Sequence, residues 1–324
     1  MERDAKFIQL YNNIMIKASQ ELQKRKAKAK KRYIIGIIAA CAVTFPSILL
    51  FSYIPGLSVF LSVLLIMYIA ATTRRLNTNS SYVLWYKNMV VRPIVKSIFK
   101  DAQYIPQFGI RPSEYDARMG LYNKSVKKVD NIAQKLEEMD MPVTMREIGE
   151  NLFLSEDKVV TNDENSLIFS EVRLELTKPS EGIMNFPTYD NFCGVAGNFK
   201  SPKNFDNIIR ISKDSYSLGA NTKMDSEEFE RHFNLYTNNS MSAFSLITPD
   251  VMLKLINLKN KLNNNFELVF WKDKVYFRIA CGRIFEIDNN KNEMDISVMQ
   301  EYYELLCKIK ELSQEVVEIL NSAV

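Results

Sequence analysis

Tyr33–Thr73, YIIGIIAACAVTFPSILLFSYIPGLSVFLSVLLIMYIAATT, contains no Asp, Glu, Lys, Arg or His in its 41 residues. A transmembrane helix needs about 20 mainly apolar residues, so this stretch is too long for one crossing and has the length of two. The helix breakers around Pro55 place a turn between Tyr33–Phe51 and Leu57–Thr73. The sequence therefore predicts a transmembrane helical hairpin to which the rest of the chain is attached.

Positively charged residues flank this hairpin on both sides, and the connecting turn has none. The positive-inside rule then predicts a plasma-membrane protein that spans twice, with its N-terminus and its C-terminal domain in the cytoplasm. The same cations suit contact with anionic lipid headgroups, although a solvated or nucleic-acid-binding tail is an alternative interpretation. They are Lys24, Arg25, Lys26, Lys28, Lys30, Lys31, Arg32, Arg74 and Arg75.

Charge and cysteine content limit the partners. Residues 1–32 carry ten Lys/Arg against three Asp/Glu, whereas residues 76–324 carry 30 against 35. The large C-terminal part is mildly acidic, so no nucleic-acid partner is expected. Its cysteines, Cys193, Cys281 and Cys307, are scattered singly, as is Cys41 in the hairpin, without the spacing of a zinc site or a disulfide scaffold. We expect no cofactor, and the cysteine pattern fits a reducing cytoplasm.

Two amphipathic helices are predicted near the chain ends. Residues 4–23 repeat apolar side chains at steps of three and four from Phe7 to Leu22. Ile296–Leu320 has a similar stripe, formed by Met299, Tyr302, Leu306, Ile309, Leu312, Val316 and Leu320. Pairing of the Phe7–Leu22 and Met299–Leu320 helices, or self-association through one of them, is a hypothesis about partners.

The first elements after the hairpin are predicted to be mainly helical. Tyr82–Phe99 is amphipathic and is expected to bend at Pro93. It either lies against the lipid headgroups or forms a core helix of the C-terminal domain. Tyr104–Ile110 is predicted to be extended, and Asn123–Met139 is predicted to be a helix.

From about Leu152 the pattern changes to short strands separated by turns. We predict strands at Lys158–Val160, Ser166–Leu176, Phe192–Phe199, Asn207–Ile211 and Asn234–Tyr236, helices at Ser226–Phe233 and Thr248–Leu262, and a β-hairpin of Phe266–Trp271 and Lys274–Ala280, which Arg283–Ile287 extends. The fold class is therefore α+β: an antiparallel sheet flanked by helices, with a long C-terminal helix. The predicted parts are residues 1–32 (amphipathic helix and basic flank), 33–73 (hairpin) and 82–324 (cytoplasmic α+β domain).

Several stretches resemble a known family. They are Phe229–Asn239, FERHFNLYTNN, then Ala243 and Leu246–Leu255, LITPDVMLKL, together with Glu156–Val159, Phe169–Val172 and Phe192–Val195. These residues resemble the bacterial membrane-protein family known as domain of unknown function 3137. The resemblance implies two adjacent transmembrane helices near the N-terminus followed by a large α+β domain, and it implies no catalytic residue. Asn239, Ser240 and Met241 depart from the acidic residue and Gln that are usual in the family before Ala243.

Few residues suggest chemistry. His232 is the one histidine, which removes most Ser-His-Asp, Cys-His and His-metal schemes, and a structural role at a helix C-terminus is favoured for it. The acidic residues of Asp225–Glu230 are explained by a helix start, with a metal or acid–base cluster as the alternative. Gly194–Ser201 lacks the ending of a phosphate-binding loop and is interpreted as a strand and turn. No catalytic, cofactor-binding or metal-binding residue is therefore predicted.

These observations favour a membrane-anchored interaction or scaffolding module that is not an enzyme. The alternatives are a lipid- or peptide-binding protein at the inner membrane face and, more weakly, a membrane-bound enzyme with a carboxylate site. The three predict, respectively, an exposed apolar surface, a mostly apolar pocket, and converging polar groups with perturbed pKa values.

Overall fold

The structure is a computed structural model. It describes residues 3–21, 79–111, 145–148, 151–176, 192–213, 220–237, 239–263, 265–285 and 295–322, with the single residues 23, 24, 27, 31, 34 and 114. The predicted hairpin Tyr33–Thr73, apart from Ile34, and the predicted helix Asn123–Met139 lie outside the described residues. Among the helices that are described, no single one has both the length and the apolar content that a bilayer crossing requires.

The chain divides into two compact units, Met1–Val90 and Val91–Val324. In the first unit, helix α1 (residues 3–21) confirms the amphipathic helix predicted for residues 4–23. Phe7, Ile14 and Ala18 are buried, whereas Ile8 and Ile16 are exposed. The buried positions follow the predicted stripe, so this helix has one buried face and one open face.

The helix predicted for Tyr82–Phe99 is interrupted before its proline. Helix α2 (Asn79–Tyr86) leads into a π-helical segment (Lys87–Val91), and helix α3 (Arg92–Ile98) follows. Pro93 has no N–H, and its ring would clash with the carbonyl four residues earlier in a regular helix. The wider π turn relieves that clash, so the predicted bend occurs as an irregular turn. Ile94, Val95 and Ile98 of α3, which belong to the second unit, are buried, and this favours the core-helix alternative for that part of the predicted helix.

In the second unit, eight described strands form one antiparallel sheet. Strands β1 and β2 both pair with β3, and β4 lies between β3 and β5. Strand β5 also pairs with β8 over most of its length and with β7 near its end, and β6 pairs with β7. The strands are β1 (Gln103–Ile105), β2 (Met145–Ile148), β3 (Asn151–Val160), β4 (Ile168–Leu176), β5 (Phe192–Ser212), β6 (Ala220–Asn221), β7 (Asn234–Thr237) and β8 (Phe266–Ala280).

The β-hairpin predicted for Phe266–Trp271 and Lys274–Ala280 is wrong, because both runs belong to the single strand β8. They pair with β5 and not with each other. Of Lys272 and Asp273, only Lys272 adopts a left-handed conformation, with φ of 53°. The two residues therefore produce an irregularity in the strand and not a hairpin turn. The proposed extension at Arg283–Ile287 is also not a strand over its described residues, 283–285.

The paired strands β5 and β8 form a long ribbon that bends in its middle. Lys200 pairs with Lys274 and Phe205 with Lys272, so β5 advances five residues while β8 advances two. Extra residues of this kind force a strand to kink. Two residues of β8 that are 11 positions apart, Glu267 and Arg278, form a side-chain hydrogen bond, although a straight strand would separate them by about 36 Å. The ribbon therefore folds back on itself.

Four helices belong to the C-terminal part of this unit: α4 (Glu227–His232), α5 (Ser240–Leu246), α6 (Pro249–Leu262) and α7 (Ile296–Ser322). The Ser226 side chain caps α4 and the Thr248 side chain caps α6, which confirms both predicted helix starts. Helix α7 confirms the long C-terminal helix. All seven stripe positions predicted on it are buried: Met299, Tyr302, Leu306, Ile309, Leu312, Val316 and Leu320.

Aromatic contacts attach helices to both halves of the ribbon. Tyr302 of α7 lies 5.8 Å from Phe285, which follows β8, measured between ring centroids. Phe233, directly after α4, lies 5.6 Å from Phe266 at the start of β8. Aromatic pairs at these distances add about 1 kcal/mol to the stabilisation from burial. Helix α7 and the end of α4 therefore hold the two ends of β8 in place through these aromatic contacts.

We expect Gly197→Ala to lower the free energy of unfolding by about 3 kcal/mol, because overpacking in a core costs this much. A Cβ atom at Gly197 would lie 2.1 Å from the carbonyl oxygen of Ile168 on the neighbouring strand. The measurement is denaturant unfolding of the full chain in detergent micelles. Gly282→Ala is the control: Gly282 has φ of +71° but open space around it, so its cost is expected to be about 1 kcal/mol. Equal losses in the two variants would contradict the close strand packing.

Candidate functional site

A buried group of three charged side chains lies between the two halves of the folded ribbon. One carboxylate oxygen of Glu267 forms an ion pair with Arg210 of β5, and the other accepts a hydrogen bond from Arg278 at the far end of β8. Arg210 is 1% exposed, and the other two are also buried. The Arg278 guanidinium also lies 5.5 Å from the ring centroid of Phe192. Because these charges are buried, removing one of them would leave its partners without a compensating charge in the protein interior. We call Arg210, Glu267 and Arg278 the clamp, because they hold the two halves of the ribbon together.

The other buried acidic groups contact main chain or nearby side chains. Glu171 accepts hydrogen bonds from the backbone N–H groups of Ile284 and Phe285, at 3.0 and 3.1 Å, and thereby attaches the segment after β8 to β4. Tyr104 donates its hydroxyl hydrogen to Asp157, which lies at the bulge of β3 with φ of 61°. Burial and the Asp157 carboxylate raise the pKa of Tyr104 well above its ordinary value.

Glu114 is a further buried carboxylate with opposing influences on its pKa. Burial alone would raise that pKa, but Lys158, at 3.7 Å, and Arg111, which donates its backbone N–H at 2.7 Å, outweigh it. The pKa of Glu114 therefore lies below its ordinary value, and the group is ionised at neutral pH. Each of these buried carboxylates is explained by contacts that hold the fold together.

The residues considered for chemistry in the sequence do not assemble into a site. His232 is the last residue of α4, at the helix C-terminus where the sequence places it, and its backbone carbonyl accepts a hydrogen bond from Lys259 at 2.8 Å. Glu230 accepts the backbone N–H of Met224, and Glu227 pairs with Arg231 on the same helix. In the part of the chain that the structure describes, no group of three or more His, Cys, Asp or Glu residues is arranged to hold a metal ion.

The Gly194–Ser201 stretch lies within strand β5, as the strand interpretation predicts, and no helix follows it directly. Gly194 and Gly197 approach neighbouring backbone so closely that a Cβ atom would clash. These glycines therefore serve strand packing, and the stretch lacks the helix N-terminus that a phosphate-binding loop provides.

A shallow concave surface of about 390 Å³ lies at the bend of the ribbon. The lining residues are Asn204, Phe205, Asp206, Trp271, Lys272 and Asp273. Four of the six are polar or charged, and the Lys272 ammonium lies 5.5 Å from the centroid of the Trp271 ring. This composition differs from the mostly apolar lining of a lipid-binding pocket.

Three large apolar side chains are exposed on the consecutive helices α5 and α6. Met241 is 79% exposed, Phe244 is 46% exposed and Leu253 is 54% exposed. We name this set the α5–α6 surface. The opposite side of α6 is buried at Val251, Met252, Leu255, Ile256, Leu258 and Leu262. The sequence analysis did not find this surface, because its pattern of apolar residues does not separate the buried side of α6 from the exposed one.

The backbone and side-chain contacts of α5 hold this surface in place. Asn239 caps the helix by accepting the N–H groups of Met241 and Ser242. Ser242 in turn accepts a hydrogen bond from the Asn207 amide of β5 at 3.0 Å. The two helices are bent by 71° at the break between them. Cap, strand contact and buried side together fix the orientation of the exposed side chains.

The basic residues predicted to contact lipid are mostly outside the described residues. Lys24 and Lys31 are described and exposed. Nothing in the structure tests the role of these cations, so their lipid contact stays a prediction. Pairing of the Phe7–Leu22 and Met299–Leu320 helices also stays a prediction, because α1 and α7 lie in separate units.

Residues 190–318 match a family model described as "Protein of unknown function (DUF3137)". The match runs from β5 to α7 and contains Phe229–Leu255, so it supports the family resemblance found in the sequence. No curated protein sequence matches the chain. Among solved structures, the chain is similar to the crystal structure of the mycobacterial trehalose monomycolate transport factor A, TtfA, with 7% identity, coverage of 66% of this chain and 93% of that chain, and a TM-score of 0.26. A likeness at that TM-score carries no argument about fold or function.

We expect Glu267→Gln to lower the free energy of unfolding by about 3–5 kcal/mol, because it leaves two buried guanidinium groups without their shared carboxylate. Glu227→Gln is the matched control, since it removes an exposed ion pair within α4 and is expected to cost less than about 0.5 kcal/mol. Denaturant unfolding of both variants in detergent micelles gives the comparison. A loss for Glu267→Gln as small as that of the control would show that the two buried arginines do not depend on the Glu267 carboxylate.

Proposed function

We propose that this chain is a membrane-anchored interaction module. Residues 33–73 form the anchor, the flanking cations contact anionic headgroups, and the C-terminal domain binds a protein partner at the inner face of the plasma membrane. The proposal assigns no catalytic step to the chain. The observation that carries it is the exposure of Met241, Phe244 and Leu253 on the α5–α6 surface.

Exposed apolar side chains on neighbouring helices are typical of protein-binding surfaces when polar residues surround them. Ser240 and Ser245 border the apolar side chains on α5, and an Asp250–Lys254 ion pair borders Leu253 on α6. Phe244 and Met241 offer large contact area, and the capped helix holds them in place before binding. A protein partner with a complementary apolar groove therefore fits this surface.

The surroundings of the α5–α6 surface favour a protein over a lipid headgroup layer. Met241 and Phe244 lie among serines on α5, and α5 has no basic residue. Binding to an anionic leaflet depends on Lys and Arg beside the apolar side chains, and helix α5 lacks that combination. Lys254, on α6, is engaged by Asp250 at 2.7 Å.

The two other hypotheses receive less support from the described residues. A lipid-binding protein needs a mostly apolar pocket, whereas four of the six residues that line the concave surface at the ribbon bend are polar or charged. An enzyme with a carboxylate site needs acidic groups that reach a substrate, whereas Glu171 and Glu267 are turned to backbone or arginine partners. The interaction module is therefore the function that the geometry favours.

We expect the combined variant Met241→Ser, Phe244→Ser, Leu253→Ser to lose its protein partner while keeping its stability, because exposed substitutions rarely change stability by more than about 0.5 kcal/mol. The measurement is affinity capture of the intact protein from gently solubilised membranes, with mass spectrometry of co-purifying proteins and lipids. Ile296→Ser, another exposed apolar residue, is the matched control and is expected to retain the partner. A partner enriched equally with all variants and with a hairpin-only chain would contradict the proposal.

The proposed topology has a separate test. In sealed right-side-out membrane vesicles, we expect externally added protease to leave residues 82–324 intact, because the positive charges on both flanks retain that domain inside. Inverted vesicles, in which the same domain should be digested, provide the control. Digestion in right-side-out vesicles would place the domain outside the cell.

A further inference from the structure

The pairing of β5 with β8 ends beside two cysteines. Gly194 pairs with Ala280, so the next positions outward along the ribbon are Cys193 and Cys281. The N–H of Gly282 donates to the carbonyl oxygen of Cys193 at 3.2 Å, which keeps the chain ends together beyond the last paired residues. We propose that Cys193 and Cys281 form a reversible cross-strand disulfide in reaction with a low-molecular-weight disulfide.

The backbone geometry suits this bond. Residues directly opposite in antiparallel strands have Cα atoms about 4.5–5.5 Å apart and side chains on the same face. Disulfides bridge Cα atoms about 4.4–6.8 Å apart, a range that includes the spacing of neighbouring antiparallel strands. Cys193 and Cys281 are both half-buried thiols, which leaves access for a small oxidant.

The surroundings give the two thiols different roles. Arg173 of β4 is paired with Cys193, so the two side chains lie on the same face of the sheet. Burial, with smaller contributions from Glu171 and Cys193, raises the pKa of Cys281 to about 12, although a hydrogen bond from the Val195 backbone opposes the shift. Cys193 is therefore the attacking thiol and Cys281 the thiol that completes the bond. The influence of Cys193 on the pKa of Cys281 also agrees with their closeness in the pairing register.

The reaction is a two-step thiol–disulfide exchange. The Cys193 thiolate attacks one sulfur of the small disulfide, its S–S bond breaks, and one small thiolate leaves and takes up a proton. Cys281 then loses its proton to solvent and attacks the Cys193 sulfur, which releases the second small thiolate. Two protein thiols are oxidised to one disulfide, and one small disulfide is reduced to two thiols.

The test uses the full chain in detergent micelles and oxidised glutathione as the probe. After treatment, digestion without reduction and mass spectrometry are expected to give one peptide pair that joins Cys193 to Cys281, and dithiothreitol is expected to separate it. In Cys281→Ser, glutathione is expected to remain attached to Cys193, because the second thiol is missing. Cys193→Ser is expected to carry no glutathione on Cys281, because the pKa of that thiol is high.

Cys307→Ser is the matched control, because Cys307 is also half-buried but lies on α7. It is expected to form the Cys193–Cys281 bond to the same extent as the unaltered chain. A glutathione adduct on Cys193 without the cross-link, or free alkylation of both thiols after treatment, would overturn the proposal. A cross-link of either cysteine to Cys307 would overturn it as well.

Discussion

The pairing of β5 with β8 is the constraint on which the rest of the second unit depends. Strands β4 and β7 also pair with β5, next to its pairing with β8. The irregularity in the middle of the β5–β8 pairing bends the ribbon, so that its two halves face each other. Glu267 then joins the halves through Arg210 and Arg278, whose charges are removed from water. A group of this kind contributes little net stability in itself but penalises any arrangement that separates its members. It therefore specifies the bend more than it strengthens the fold.

Local chemistry made much of this fold predictable from the sequence. The side chains of Ser226 and Thr248 begin α4 and α6 where the capping pattern indicates, and the apolar period of Met299–Leu320 marks the buried side of α7. These signals are contained within a few neighbouring residues. The register of β5 against β8 is not determined by neighbouring residues, since it depends on contacts between distant parts of the chain. The alternation around Lys272 therefore resembled a hairpin although both runs pair with another strand.

The same distinction explains what the sequence revealed about the candidate sites. Met241 and Phe244 follow each other at helical spacing. That they face outward is determined by the packing of α5 on β5, where Ser242 of α5 accepts a hydrogen bond from Asn207. Cys193 and Cys281 are separated along the chain by the helices α4 to α6 and the strands β6 to β8, so their spacing carries no sign of a pair. In contrast, the position of His232 at the end of α4 could be predicted from its local sequence alone. Surfaces and side-chain pairs created by tertiary structure require the register and the packing.

The long separation between β5 and β8 also affects how this chain is made. Ala280 leaves the ribosome 86 residues after its partner Gly194, which at ordinary rates of synthesis is a delay of roughly 4–17 s. During that time one edge of β5 has no strand beside it, and unpaired edges attract other chains. Pro202 and the charged residues Lys200 and Lys203 lie in the central part of β5. Proline and lysine are residues that discourage pairing with a foreign strand, so the irregular middle of β5 also protects the growing polypeptide.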